Sequence, residues 1–379
     1  MSIINKKNVE KRVNQKEYSR KTTIKSNAAT YEIKDQKVET FDIDSLTQNN
    51  SELESETAIS YETVKRRINE RIKNGEDPET VISEELNKFK RDIEKIEKDK
   101  LDKQMNEKIE EIKSKMNNGE LIKYDDLAAL NELILQSDGE FSQEFLEKYN
   151  EIFIDRGDNK YESPIESLGG QEGLDKFNET IRKMAESKND PTKGPLYAAI
   201  ALSEFTLLTG KNFRYDVDDA AREEVLEYYG IKGDMYLDCS SYVFWAIHNG
   251  GYNWPTISED DPDYETYYEE AVNISGNTPE GPVNNNYEVL PWARVKGYAH
   301  DPGEGVGKSG DILSKCDGEN RHTLMIIGTY DGGYYVLEEA GYGIGLKANK
   351  KSYDDLAVSG YQVVDMHGYY SNESNRTTK

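Results

Sequence analysis

The sequence predicts an α+β protein, helical in its first half and built around an antiparallel sheet in its second. Three observations predict it. Apolar residues recur every three or four positions from Ile82 to Met116 in an otherwise charged stretch. The segment from His322 to Ala340 alternates two β-rich runs around Asp331-Gly332-Gly333, the pattern of a hairpin. Between these, the composition changes after Asn189-Asp190-Pro191, and most of the aromatic residues lie beyond residue 195.

The elements follow in chain order. Residues 1–57 are polar with no sustained period and read as a disordered segment. Residues 58–120 read as a long charged helix, broken at Gly75-Glu76-Asp77-Pro78. Its apolar positions Ile82, Leu86, Phe89, Ile93, Ile96, Leu101, Met105, Ile109, Ile112 and Met116 approach a heptad seam with one slip. A coiled coil that self-associates through residues 80–116 and a solvated helix packing on its own chain both fit that spacing. Residues 121–190 read as a helical region, with helices over 125–135, 142–153 and 171–188 and a loop-rich stretch from Arg156 to Gly170.

Residues 191–370 read as one folded domain. Pro195–Leu208 is apolar enough for a buried helix, and an acidic helical insert is expected from Asp216 to Tyr229. A short apolar helix over 240–248 starts at Asp238-Cys239-Ser240-Ser241 and ends at Asn249-Gly250-Gly251. Residues 251–305 read as irregular, Gly310-Asp311-Ile312-Leu313 as a turn leading into a strand, and Ser359–Met366 as a last strand. Residues 371–379 read as a frayed polar tail.

Composition excludes several roles. A net charge of −25 argues against nucleic-acid binding, which needs a basic face. No segment approaches 18 apolar residues, so no membrane span is expected. Two cysteines form neither a disulfide framework nor a zinc site of common spacing, and no metal or organic cofactor is called for. The start, Met1 to Lys7, lacks the apolar stretch of a secretory signal.

The chemistry concentrates on Cys239. A helix N-terminus favours an anion, here the thiolate, which is the species that attacks carbonyls. Of the four histidines, His248 sits two turns along the same helix, and His300 and His367 lie near loops or the chain end. His322 begins a buried-looking strand, a costly place for a ring without a partner. A cysteine at a helix start with a histidine on a strand is the papain-like arrangement. A carboxylate on the next strand would orient the histidine. With a two-residue Asp331-Gly332 turn, Glu339 falls opposite Leu324 and shares the face of His322; with a three-residue turn, Glu338 does. Asp-Gly favours the two-residue turn and hence Glu339.

These residues carry a resemblance to the NlpC family, the papain-like cysteine peptidases of bacterial cell walls. Asp238-Cys239-Ser240-Ser241 resembles the family's Asp-Cys-Ser-Gly nucleophile motif, with Ser241 in place of Gly. Gly210-Lys211-Asn212-Phe213-Arg214-Tyr215 resembles its Gly-x-Pro-Tyr segment, and Gly310-Asp311-Ile312-Leu313 its Pro-Gly-Asp-Leu strand start. His322–Gly328 and Val336–Ala340 resemble its two following strands, the second placing Glu339 as third polar residue. The resemblance covers about residues 195–368. It implies hydrolysis of a peptide bond in peptidoglycan stem peptides, with Cys239 as nucleophile, His322 as base and Glu339 orienting it. It also implies Asp238 and Ser240 near a substrate amine, beside the N-capping role their types suggest, and release at the cell wall by a phage-type or other machine. Two other readings stay open: a coiled-coil assembly protein with a degenerate papain-like domain, and an amidase or deamidase acting on proteins.

Overall fold

The structure is a computed structural model that describes residues 29–33, 36–40, 61–153, 170–187, 189–209, 214–215, 236–255, 257–275, 286–317, 320–341 and 345–377. The expected loop at 156–169, the acidic insert at 216–229 and the motif residues 210–213 lie outside the described residues. Among the described residues there are eleven α-helices and a six-stranded antiparallel sheet, and no helix is long and apolar enough to cross a membrane. The chain divides into two compact units, residues 1–99 and 100–379.

In the first unit, β1 (Ala29–Ile33) and β2 (Gln36–Thr40) form an antiparallel hairpin, with Ile33 opposite Gln36. This is regular pairing inside a segment expected to have none. Its β-formers Thr30, Tyr31, Ile33 and Val38 are too few to stand out from the polar background. Helix α1 (Tyr61–Lys73) ends at Gly75, whose φ of 94° suits glycine. Helix α2 (Pro78–Asn117) starts with proline at its first position, behind an Asp77 carboxylate that accepts from the Thr80 N–H at 3.0 Å. Val64, Ile68 and Val81 bury against one another, and Arg71 pairs with Glu76, Glu84 and Glu85.

The second unit has one main core, which takes in residues from Met105 to Tyr370. The boundary expected near residue 190 therefore does not separate two cores. The far end of the α2 seam belongs to this core: Met105, Ile109 and Ile112 are fully buried by their own chain. That part of the heptad pattern is taken up by intramolecular packing and is not open to a second helix. Helices α3 (Tyr124–Gln136), α4 (Gln143–Phe153) and α5 (Gln171–Ala185) add Leu130, Ile134, Leu146, Phe177 and Met184 to the same core.

Helix α6 (Gly194–Thr209) is mostly apolar and buried from Gly194 to Leu208, with Ser203, Glu204 and Thr206 as its buried polar residues, and lies at the centre of the core. It crosses α7 (Cys239–Asn249) at two glycines, where a Cβ on Gly194 would stand 2.2 Å from the Gly250 carbonyl oxygen. Short strands β3 (Arg214–Tyr215) and β4 (Tyr236–Leu237) pair in parallel just before α7.

Residues 251–305, expected to be irregular, contain α8 (Tyr264–Ser275) and α9 (Asn286–Val295). Tyr267 and Ala271, one turn apart, and Val289, Leu290, Trp292 and Ala293 are buried. Pro291 inside α9, with the Asn, Gly and Pro around both helices, masks the helical spacing. The sheet has the order β5-β10-β6-β7-β8-β9. Its strands are β5 (Ala299–His300), β6 (Ile312–Asp317), β7 (Asn320–Tyr330), β8 (Gly333–Glu339), β9 (Leu346–Ser352) and β10 (Gln362–Val364). Alternation divides its faces. Ile312, Met325, Tyr335 and Leu337 join the helical core, while Leu313, Leu324, Ile326 and Val336 pack with Leu356 of α10 (Tyr353–Val358) and with Tyr361.

Of the tail expected to be frayed, residues 371–377 are described, and they are held in place. After α11 (Met366–Tyr370), the Asn375 carbonyl accepts from the Asn253 N–H at 2.7 Å, and the Thr377 N–H donates to Gly251 at 3.0 Å. Backbone pairing, which side-chain polarity does not reveal, holds this tail.

Candidate active site

Two elements build the site, the start of α7 and the central strands of the sheet. Asp238 is the N-cap of α7, in extended conformation, and its carboxylate accepts from the Ser241 N–H at 2.6 Å. The Ser241 hydroxyl accepts from the Asp238 N–H at 2.7 Å, which completes a capping box with serine in the usual Glu position. The Ser240 and Ser241 hydroxyls both donate to the same Asp238 oxygen, at 2.9 and 2.7 Å. Asp238, Ser240 and Ser241 are all buried. The two residues that the resemblance places near a substrate amine, Asp238 and Ser240, are thus bonded to each other within the cap. Its effect is to lock the first turn of α7 and so to fix the buried Cys239 at the first helical position.

His322 comes from β7, where it stands opposite Lys315 of β6. Its ring hydrogen-bonds Cys239, and its Nε2 lies 2.8 Å from Oε2 of Glu338. With Nε2 committed to the carboxylate, Nδ1 is the ring nitrogen left to face the thiol. Glu338 is 2% exposed, and its other oxygen, Oε1, accepts from Asn349 Nδ2 at 2.7 Å and pairs with Lys351 Nζ at 3.1 Å. A continuous polar chain therefore runs from Cys239 through His322 to Glu338 and on to Asn349 and Lys351 of β9. The Tyr361 ring meets the His322 ring edge-on, with centroids 6.4 Å apart.

The electrostatics follow from this chain. Burial opposes the charge on His322, but the hydrogen bonds to Cys239 and Glu338 outweigh it and raise the imidazole to about 9 from an ordinary 6.5. Burial likewise opposes the charge on Glu338, yet His322, Lys351 and Asn349 together hold its carboxyl down to about 2. The imidazolium and the Glu338 carboxylate are the favoured forms at neutral pH.

Glu339, expected to orient His322, does not meet it. The turn is the expected two-residue one: Tyr330 pairs with Gly333, and Gly332 has a φ of 91°. That register holds through Gly328 and Tyr335, but the next pair is Ile326 with Val336. Ile327 is the extra residue of a β-bulge, and one extra residue turns every later side chain to the opposite face. Continued past the bulge, the register brings Glu338 opposite Leu324 and onto the face of His322. Glu339 turns inward with 0% exposure, away from His322 and beside the Gly341 backbone. Burial, with Cys239 and Asp238 nearby, pushes its carboxyl well above the ordinary range. The signal for the bulge was Gly328, since glycine inside a strand marks a bulge or a close approach. Here it marks both, because a Cβ would stand 2.2 Å from Leu146 Cδ1.

Sequence reasoning also missed Asn349 and Lys351, which lie in a polar stretch whose only apolar residues are Leu346 and Ala348, and Lys315 and Tyr361 beside His322. The other histidines stand elsewhere. His248 is exposed at the end of α7 against Phe244, and His300 is exposed in β5. His367 Nδ1 is 2.9 Å from Asp311. With Asp365, these two form the one group of potential metal ligands among the described residues. Asp311 already accepts from the Lys308 and Met366 N–H groups, at 2.8 and 2.9 Å, as well as meeting His367. It acts as a pin between the start of β6 and α11.

No family model, no curated protein and no solved structure matches this chain.

Proposed function

We propose that the protein is a cysteine peptidase of peptidoglycan stem peptides that works through Cys239, His322 and Glu338. The observation that carries this reading is the buried chain of hydrogen bonds from the thiol to the imidazole to the carboxylate. The substrate class rests on the resemblance to the NlpC family and on no other ground.

In this reading the Cys239 thiolate attacks the scissile carbonyl carbon, and the positive end of α7 faces the oxyanion that forms. His322 holds the thiol proton as imidazolium and passes it to the amine as the C–N bond breaks. Water then attacks the thioester, His322 takes its proton, and the thiolate leaves. Glu338 stays ionised throughout and holds the ring so that Nδ1 faces the sulfur.

The test is digestion of purified peptidoglycan by the full chain and by Cys239→Ala, with released fragments read by mass spectrometry. Fragments from the wild type alone support the reading and identify the bond. No fragments from a folded wild type refute the wall substrate. A protein substrate, cleaved or deamidated, would then be the class to assay.

A further inference from the structure

The middle of α2 carries apolar side chains that no core takes up. Leu86, Ile93 and Ile96 are partly exposed and belong to none of the apolar clusters among the described residues. With Phe89 they keep heptad spacing and so form one stripe along the helix. Helix α1 covers the first turns of that side. Val64 and Ile68 bury there against Val81, with Ile82 and Phe89 packed beside them, and Arg67 and Arg71 pair with Glu85 at 3.1 and 3.2 Å. Because α1 folds back along α2, its start at Tyr61 falls near the turn that carries Ile93, where the cover ends. The stripe beyond is bordered by acid. At about 100° per residue, Asp92, Glu94 and Glu97 flank it, and Lys90 on the same side pairs with Glu94 at 3.7 Å. Lys88, Arg91, Lys95 and Lys98 fall on the opposite face.

We propose that residues 1–28 of this chain cover the stripe from Leu86 to Ile96. Two long stretches outside the described residues precede α1, and their charges are opposite. Residues 41–60 hold five acidic side chains and no basic one, so the acidic border repels them. Residues 1–28 hold eight basic side chains and two acidic ones, together with Ile3, Ile4, Val9 and Val13. They repeat the chemistry by which α1 already holds α2, apolar groups on the stripe and basic groups on its acids. A second copy is the poorer occupant, because it would set acidic borders against each other in a chain of net charge −25. The docking is independent of the peptidase reading and takes the place of self-association along this part of the α2 seam.

The experiment is photo-crosslinking in the full-length chain, with Ile96→benzoylphenylalanine on the stripe and Lys95→benzoylphenylalanine on the opposite face as control. Products are sized by intact mass and mapped by peptide mass spectrometry, and circular dichroism checks that each variant keeps its helix content. Position 96 is expected to give an adduct of monomer mass joined to residues 1–28, and position 95 little of it. Reversing the segment's charge with Lys6→Glu, Lys7→Glu, Lys11→Glu and Arg12→Glu together should lower that yield roughly fivefold. Adding Asp92→Lys and Glu97→Lys to the reversed segment should restore it, because the charges are again opposite. Adducts of dimer mass would put a second copy on the stripe, and monomer adducts to residues 41–60 or to any other segment would put that segment there; either result overturns the proposal. So does the absence of any adduct from position 96, or a yield that charge reversal leaves unchanged.

Discussion

Replacing Glu338 by Gln removes one negative charge from the site while keeping the shape and a group that can hydrogen-bond His322. The structure sets the size of the effect. A carboxyl held at about 2 in place of 4.5 contributes about 3 kcal/mol to folding at neutral pH. The Lys351 partner is 28% exposed and its share is screened, so the expected loss in Glu338→Gln is about 1–3 kcal/mol. The sign follows from the direction of the shift. A depressed carboxyl stabilises above its unfolded value of 4.5 and loses that contribution as pH falls through about 2. The gap between wild type and variant in urea unfolding should therefore be full at pH 7 and close as the pH drops from 4.5 towards 2. His322 supplies a second readout. It is raised to about 9 by Cys239 and Glu338 together, so without the carboxylate its titration should fall by about one pH unit or more. Imidazole NMR of the four histidines reads this directly. Glu339→Gln is the control, because burial pushes its carboxyl towards the neutral form and its side chain lies on the face away from His322. A His322 titration unmoved by Glu338→Gln, or moved as far by Glu339→Gln, would refute the assignment of Glu338.

Three further outcomes are expected. Gly250→Ala places a Cβ 2.3 Å from the Pro195 backbone nitrogen, where neither helix can yield, whereas Gly328→Ala meets only the end of the Leu146 side chain. The first should cost about 3 kcal/mol or more and the second clearly less, and equal losses in denaturant unfolding would contradict the packing described. Glu204 is buried in α6 beside Asn131, whose side-chain hydrogen bond offsets only part of the cost of burying the carboxyl. Glu204→Met should stabilise by about 1–3 kcal/mol. Burial raises the Glu204 carboxyl, so the wild type loses stability as pH rises above 4.5, and the gain in the variant should grow with pH; a lower melting temperature for Glu204→Met at pH 8 would count against the reading. Above the unfolded histidine value of 6.5, the stability lent by the His322 pair should decline as pH rises through about 9. His322→Gln should lack that alkaline decline, and an identical decline in both proteins would assign it to other groups.

Local chemistry made much of this protein legible in its sequence. Asp238 before Cys239 placed the start of α7, and Asn249-Gly250 its end, because caps and terminators act within one turn of chain. Asp331-Gly332 set a two-residue turn, since its backbone conformation is chosen by the residues in it. Asp77-Pro78 broke the charged helix where expected. Tertiary structure decided the rest. The bulge at Ile327 exists where Leu146 of a distant helix presses on Gly328, and it exchanged Glu339 for Glu338. A strand pattern of period two carries no record of an inserted residue, so turn chemistry alone could not choose between them. The seam from Ile82 to Met116 shows helical spacing and nothing of what covers it, and Met105, Ile109 and Ile112 are covered by their own chain. Lys315, Tyr361, Asn349 and Lys351 stand apart in sequence from Cys239 and share one face only after six strands pair. The sequence by itself determined the start of α2, the caps of α7 and the turn of the β7–β8 hairpin, and which residues could react; the pairing of strands decided which of them meet, because contact between distant residues depends on register and packing rather than on any local preference.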